Sequence, residues 1–139
     1  MSFAGYLIKV GGSSGTVLPM EYMKHASYKC TPNQRMESEA KRAVTGLLHR
    51  TTVAHTATKI EFETPIMTNR DVADVMGIFR NAWTSSQERK LEIEYYNEEL
   101  DDYSEATVYM PDIQFSIDHI DLETNTVYYN SFRIAFIEY

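Results

Sequence analysis

The chain has 139 residues, 43% of them hydrophobic, enough for one globular domain, residues 1–139, with a substantial core. Its formal net charge of -7 and pI near 5.0 argue against a protein that grips nucleic acid by neutralising phosphates. Its one cysteine, Cys30, excludes an internal disulfide framework and a multi-cysteine zinc site, and reads as a small buried or half-buried side chain.

The first residues, "MSFAGYLIKVGGSSG", lack the basic region and long apolar run of a signal peptide. No segment approaches 18 consecutive apolar residues, so no membrane anchor is expected. The expectation is a protein made and folded in a cytoplasm.

"GYLIKV" is a short strand closed by the glycine-rich turn "GGSSG". "TVLPMEYMKHASYKC" is mixed; Pro19 suggests an edge position, and residues 23–30 suit a second strand. Residues 31–42 are polar and carry no stripe, which reads as an extended loop or the outer limb of a hairpin. The stretch from Thr52 alternates, with Ala54, Thr56, Thr58, Ile60 and Phe62 on one side and Val53, His55, Ala57, Lys59 and Glu61 on the other. That is a β-branched strand running unbroken to Pro65, and only its second half is apolar enough for burial.

One helix is predicted over residues 68–83. Thr68 is a suitable N-cap, with Asp71 at the third helical position and Met67 spaced from Val72 as a hydrophobic staple. Val72, Val75, Met76, Phe79, Ala82 and Trp83 recur at three- and four-residue steps and form its core face. Gly77 costs about 1 kcal/mol relative to Ala, which suggests a close approach to a neighbouring backbone.

The remainder reads as four strands. "KLEIEYY" alternates, the acidic "NEELDDYSE" turns, and "ATVYM" follows with Ala106, Val108 and Met110 together. "DIQFSIDHI" places Ile113, Phe115 and Ile117 on one side, and "TVYYNSFRIAFIEY" sets Phe132, Ile134 and Phe136 opposite Arg133, Ala135 and Ile137. Short polar turns imply antiparallel pairing. The fold class is mainly β (α+β): an antiparallel, curled β-sandwich or barrel with one flanking helix.

No catalytic motif is present. "GGSSG" is followed by neither the lysine nor the helix of a phosphate-binding loop. His25, His49, His55 and His119 lie in separate strand-like segments without metal-pair spacing. In "DHID" neighbouring side chains should point to opposite faces, so His119 and an adjacent aspartate should not meet. The serines lack a nucleophile elbow, and the acidic run lacks the spaced ligands and central glycine of a calcium loop. No enzyme, cofactor or metal is expected.

What stands out is a ribbon over about residues 33–58, polar on both faces, with apolar spots at Val44, Leu47, Leu48 and Val53. A two-stranded ribbon is marginal alone in water. Head-to-tail contacts between copies would cover it, with Val44, Leu47, Leu48, Val53 and His55 between subunits, and such contacts close into rings.

The order of "YLIKV", the polar run leading to "AVTGLLHRTTVAHTATKIEFETP", the helix "TNRDVADVMGIF", then "KLEIEYYN", "ATVYMPD" and "FRIAFIEY" resembles small tail proteins of phages and prophages of the tail-tube and distal-tail type. The likeness spans roughly residues 5–139. It implies a virion structural subunit in the tail, made in the host bacterial cytoplasm. Its partners would be copies of itself in a ring, usually of six, and other tail proteins, with DNA only as passing cargo. The family has no catalytic residues to carry over. A conduit for DNA should be acidic, and Glu92, Glu94, Glu98, Glu99, Asp101 and Asp102 could line it. A rival expectation is a monomeric β-rich module that binds a small ligand or peptide; a third is an enzyme using His119 with a distant acid.

Overall fold

Alternating apolar residues build the main sheet, and its edges set the shape of everything else. The computed structural model describes the backbone of residues 3–42 and 48–139 and the side chains of residues 3–34 and 56–139. In chain order the elements are β1 (Ile8–Val10), β2 (Thr16–Val17), two 3-10 turns (Met20–Tyr22 and His25–Ser27), β3 (Lys29–Arg42), β4 (Leu48–Glu63) and β5 (Met67–Thr68). Helix α1 (Asn69–Ala82) follows, then β6 (Lys90–Asn97), β7 (Asp102–Tyr109), β8 (Ile117–Asp121), β9 (Thr126–Tyr129) and β10 (Arg133–Glu138). Seven strands form one antiparallel sheet in the order β2-β1-β6-β7-β10-β4-β3, and three form a second in the order β5-β9-β8. Both sheets stay open. The fold is mainly β with one helix, and the barrel alternative is excluded.

The inner face of the large sheet carries the core: Ile8, Ile60, Phe62, Leu91, Ile93, Val108, Ile134 and Phe136 are all at most 1% exposed. Helix α1 covers this face through Val75 and Phe79, both fully buried, with Phe79 set edge-on to Phe136 at 5.8 Å. Val72, Met76, Ala82 and Trp83 pack half-buried around them, so the predicted apolar face is the face that docks. Burying each of these larger side chains contributes about 2 kcal/mol. The capping box is complete. The Asp71 N–H donates to Thr68 Oγ1 at 3.3 Å, and the Thr68 N–H donates to Asp71 Oδ2 at 3.2 Å, so the shorter acid serves.

The glycine turn after β1 has a steric cause. Gly11 and Gly12 sit at φ of 103° and 87°, and a Cβ on Gly15 would meet the Val10 carbonyl oxygen at 2.1 Å. Gly77 departs from expectation. The nearest atom to a Cβ there is the Arg80 guanidinium at 4.0 Å, so nothing approaches closely and the helix carries the glycine without a packing return.

Other elements also differ from the sequence reading. Residues 23–28 are not a strand; the Tyr22 and Met23 amides turn back to the carbonyls of Pro19 and Met20, and the Ser27 hydroxyl donates to the Lys24 carbonyl at 2.6 Å. "DIQFSIDHI" is a strand only from Ile117, because Ile113 packs against the main core while Ile117 belongs to the small sheet. The last segment is two strands in two sheets, giving five strands after the helix. The break is made by buried Thr64, whose N–H donates to the Phe132 carbonyl at 3.0 Å and whose hydroxyl accepts from the Phe132 N–H at 3.2 Å. The acidic turn is also shorter than expected, since β7 starts at Asp102.

Residues 31–42 are the outer limb of a hairpin. β3 pairs with β4 from Lys29↔Glu61 to Arg42↔Leu48. On its other edge β4 pairs with β10 only from Lys59 to Glu63. Sixteen residues of strand span roughly 53 Å, against a diameter of roughly 35–40 Å expected for a domain of this size. The hairpin therefore projects as a two-stranded ribbon. It is not one regular alternation, because five residues of β4 from Thr52 to Thr56 oppose only three of β3 from Glu37 to Arg35. Val53 and His55 fall inside that irregularity.

The ribbon's root is fastened at Thr58, 1% exposed. Its hydroxyl accepts from the Asn33 N–H at 3.0 Å and shares a hydrogen bond with the Tyr95 hydroxyl at 2.9 Å. Its own N–H donates to Glu138 Oε1 at 2.7 Å, where the ladder to β10 ends. Replacing Thr58 by Val, which keeps the shape and removes the oxygen, should lower unfolding free energy by about 1–3 kcal/mol in urea denaturation. Thr58→Ser, which keeps the oxygen, should cost less.

Candidate functional site

Two surfaces merit functional reading: the ribbon and the outer face of the large sheet. Of the predicted inter-subunit residues, Val44 and Leu47 lie outside the described residues. Leu48, Val53 and His55 are on β4, and their side chains lie outside the described ones. The backbone alone makes the point. From Gln34 to Arg42 and from Leu48 to Ala57, the described pairing of each strand is with the other strand only.

The outer face of the large sheet is acidic for a local reason. Burial of Leu91, Ile93 and Tyr95 turns Glu92 and Glu94 outward, and burial of Ala106 and Val108 does the same for Glu105. Glu94 and Glu105 are direct cross-strand partners, an arrangement that works against pairing. Glu92, Glu105 and Glu138 line one shallow concavity of about 270 Å³ with Ala106, Thr107 and Tyr139. Among the described residues no ion pair joins Glu92, Glu94, Glu105 or Glu138. Two lysines near these acids turn to rings: Lys9, the cross-strand neighbour of Glu94, has its Nζ 4.9 Å from the centre of Tyr6, and Lys90 Nζ lies 5.0 Å from that of Tyr139. Glu94 instead accepts from the Tyr6 hydroxyl at 2.5 Å, a bond that pushes the Tyr6 phenol up to about 12 and holds its proton in place.

Glu98, Glu99 and Asp101 stand exposed in the turn beside this face, while Asp102 opens β7 and accepts from the Tyr103 N–H at 2.8 Å. All six acids named from sequence thus fall on or next to one face. Glu105 belongs with them and was not named, while Glu138 reaches the concavity from the end of β10, where it pairs with buried Val108. For Glu105 the signal was there, since it alternates with Ala106 and Val108.

The histidines do not converge. His25 is exposed beside the Met20 carbonyl at 3.3 Å, and His49 and His55 have side chains outside the described ones. His119 does meet a neighbouring acid, contrary to the alternation argument. A register shift between Ile117 and His119 brings Asp118 Oδ2 to 2.6 Å from His119 Nδ1, and the imidazole stacks on Tyr128 at 4.3 Å. Both partners are solvent-exposed. Among the described residues no three potential ligands gather for a metal, and no helix is long and apolar enough to cross a membrane. Cys30 is half-buried, and burial pushes its thiol up to about 12, away from the thiolate that reactivity needs.

A model of a family of unknown function, DUF6711, matches residues 1–139, the whole chain. The chain belongs to this family. No curated protein and no solved structure matches it. For this DUF6711 chain, function is therefore argued from its surfaces.

The uncompensated acids give a direct check. Glu105→Gln should stabilise the protein by about 0.2–1 kcal/mol at low salt. Urea denaturation in 1 M salt, where charges are screened beyond about 3 Å, should show most of that gain gone. A loss of stability at low salt would mean that Glu105 has a cationic partner.

Proposed function

We propose that this DUF6711 chain is a structural subunit of a phage or prophage tail, assembling with copies of itself into a ring around a DNA conduit. The observation that carries the reading is the ribbon: about twenty residues of strand whose outer edges have no partner among the described residues. Such an edge is normally blunted or covered, and a neighbouring copy covers it at every position of a closed ring. Because the ribbon sits at one place and its acceptor at another, the contact is head-to-tail.

The acidic outer sheet face supports the same reading. Glu92, Glu94 and Glu105 share this face without a described ion pair, and Glu94 and Glu105 oppose each other across the strands, which works against pairing. A face of this kind repels phosphates and lets DNA slide where a basic one would hold it. The role asked of the protein is therefore shape and charge, with no bond made or broken. Tube, connector and distal-tail ring all make that same demand.

Sedimentation and negative-stain electron microscopy of the purified chain test this. The full chain should form closed rings as concentration rises. A variant with residues 34–57 replaced by a short Gly-Ser turn should remain folded and monomeric. A full-length chain that is monomeric up to its solubility limit would contradict the reading, as would rings that form equally well without the ribbon.

A further inference from the structure

We infer that the outer edge of β8 is the surface that receives the ribbon, and that the ribbon it receives comes from a second copy of this chain. The inference deepens the ring reading above and rests on it.

In the small sheet β8 pairs with β9 alone, so among the described residues its outer row of N–H and C=O groups has no partner. The same place concentrates exposed apolar surface. Phe115 is 41% exposed, Ile117 and Ile120 are each 52% exposed, and Leu122 is 81% exposed. An unpaired edge carrying two isoleucines is a template for strand addition.

Charge selects what can add. Residues 91–132 contain eleven carboxylates and no Lys or Arg, and Asp118 and Asp121 lie within β8 itself. Two copies of β8 meeting edge to edge would set these aspartates against each other, which disfavours that symmetric pairing. The ribbon is the opposite. Residues 34–57 hold four cations (Arg35, Lys41, Arg42 and Arg50) against Glu37 and Glu39, although the whole chain is acidic. The ribbon's outer strand, β3, is also an edge: it pairs with β4 alone. The lengths agree, since β8 spans roughly 17 Å and residues 34–42 roughly 30 Å at about 3.3 Å per residue. Opposite charge steers the encounter and rejects the like-charged alternative, while backbone pairing and the isoleucines hold it.

Charge reversal tests the pairing. One variant carries Asp118→Lys and Glu123→Lys beside the receiving edge; the other carries Arg35→Glu and Lys41→Glu on the ribbon. All four positions are on strands or a turn at the surface or projecting from it, and circular dichroism with thermal melting checks that each variant folds. By sedimentation, each variant alone should need at least a tenfold higher concentration than the unmodified chain to assemble. An equimolar mixture should assemble again, because each reversed ribbon then meets a reversed edge on the other variant. If the unmodified chain assembles and each variant alone does so equally well, β8 is not the receiver, and the ring reading stands. Two defective variants that fail to rescue each other also overturn the pairing. An unmodified chain that never assembles removes both readings. Where a variant fails to fold, Ile120→Glu on the exposed face of β8 replaces it, with loss of assembly expected and unchanged assembly decisive against.

Discussion

A strand has two edges, and every N–H and C=O along each must find a partner or water. β4 meets this requirement in two different ways along one continuous run. From Lys59 to Glu63 it lies between β3 and β10, inside the large sheet. At Thr58 the Glu138 carboxylate takes the N–H where the ladder to β10 stops, and beyond that point β3 is the remaining partner. Thr58 also ties Asn33 and Tyr95 together, so this junction fixes where the domain ends and the ribbon begins. The apolar pattern changes at the same place, from Ile60 and Phe62 in the core to a polar limb. Where the ribbon begins and how far it runs past the sheet both follow from that one boundary.

Charge divides the chain along the same line. The sheet's outer face, the β6–β7 turn and β8 hold most of the carboxylates, whereas the ribbon beyond Thr58 holds four lysines and arginines against two glutamates. Within one molecule this segregation brings no benefit, and at Glu94 and Glu105 it carries a cost. Between molecules it gives direction: a basic limb seeks an acidic surface and avoids its own kind. In the head-to-tail array proposed above, both the unpaired edges and the unbalanced charge would be put to use.

Much of this was legible in the sequence where local chemistry decides. The helix was, because Thr68 and Asp71 cap it and a single face from Val72 to Trp83 must be buried. The alternation of β6 and β7 was, because one face is core and the other is solvent. The ribbon was legible as an anomaly, a long strand with too little apolar surface for its length. What escaped depends on distant partners. Nothing local to "TVYYNSFRIAFIEY" says that Thr64, some seventy residues earlier, splits it between two sheets. The irregular register of the ribbon is set by β3 against β4, so alternation read on β4 alone ran straight through it. A bulge likewise joined His119 to Asp118 against the two-residue rule. Glu105 joined the acidic face only once topology placed β7 next to β6.

The claim beneath all of this is that the ribbon is completed by another copy of the chain. Amide hydrogen exchange at residues 34–42, followed while the protein is diluted, tests it most directly. Completion by a neighbour predicts slow exchange on alternate amides of β3 in concentrated protein, with protection falling at least tenfold as assemblies dissociate and the domain amides of β6 and β7 unchanged. Protection of β3 that is the same at every concentration, in a chain that sediments as a monomer throughout, would contradict it.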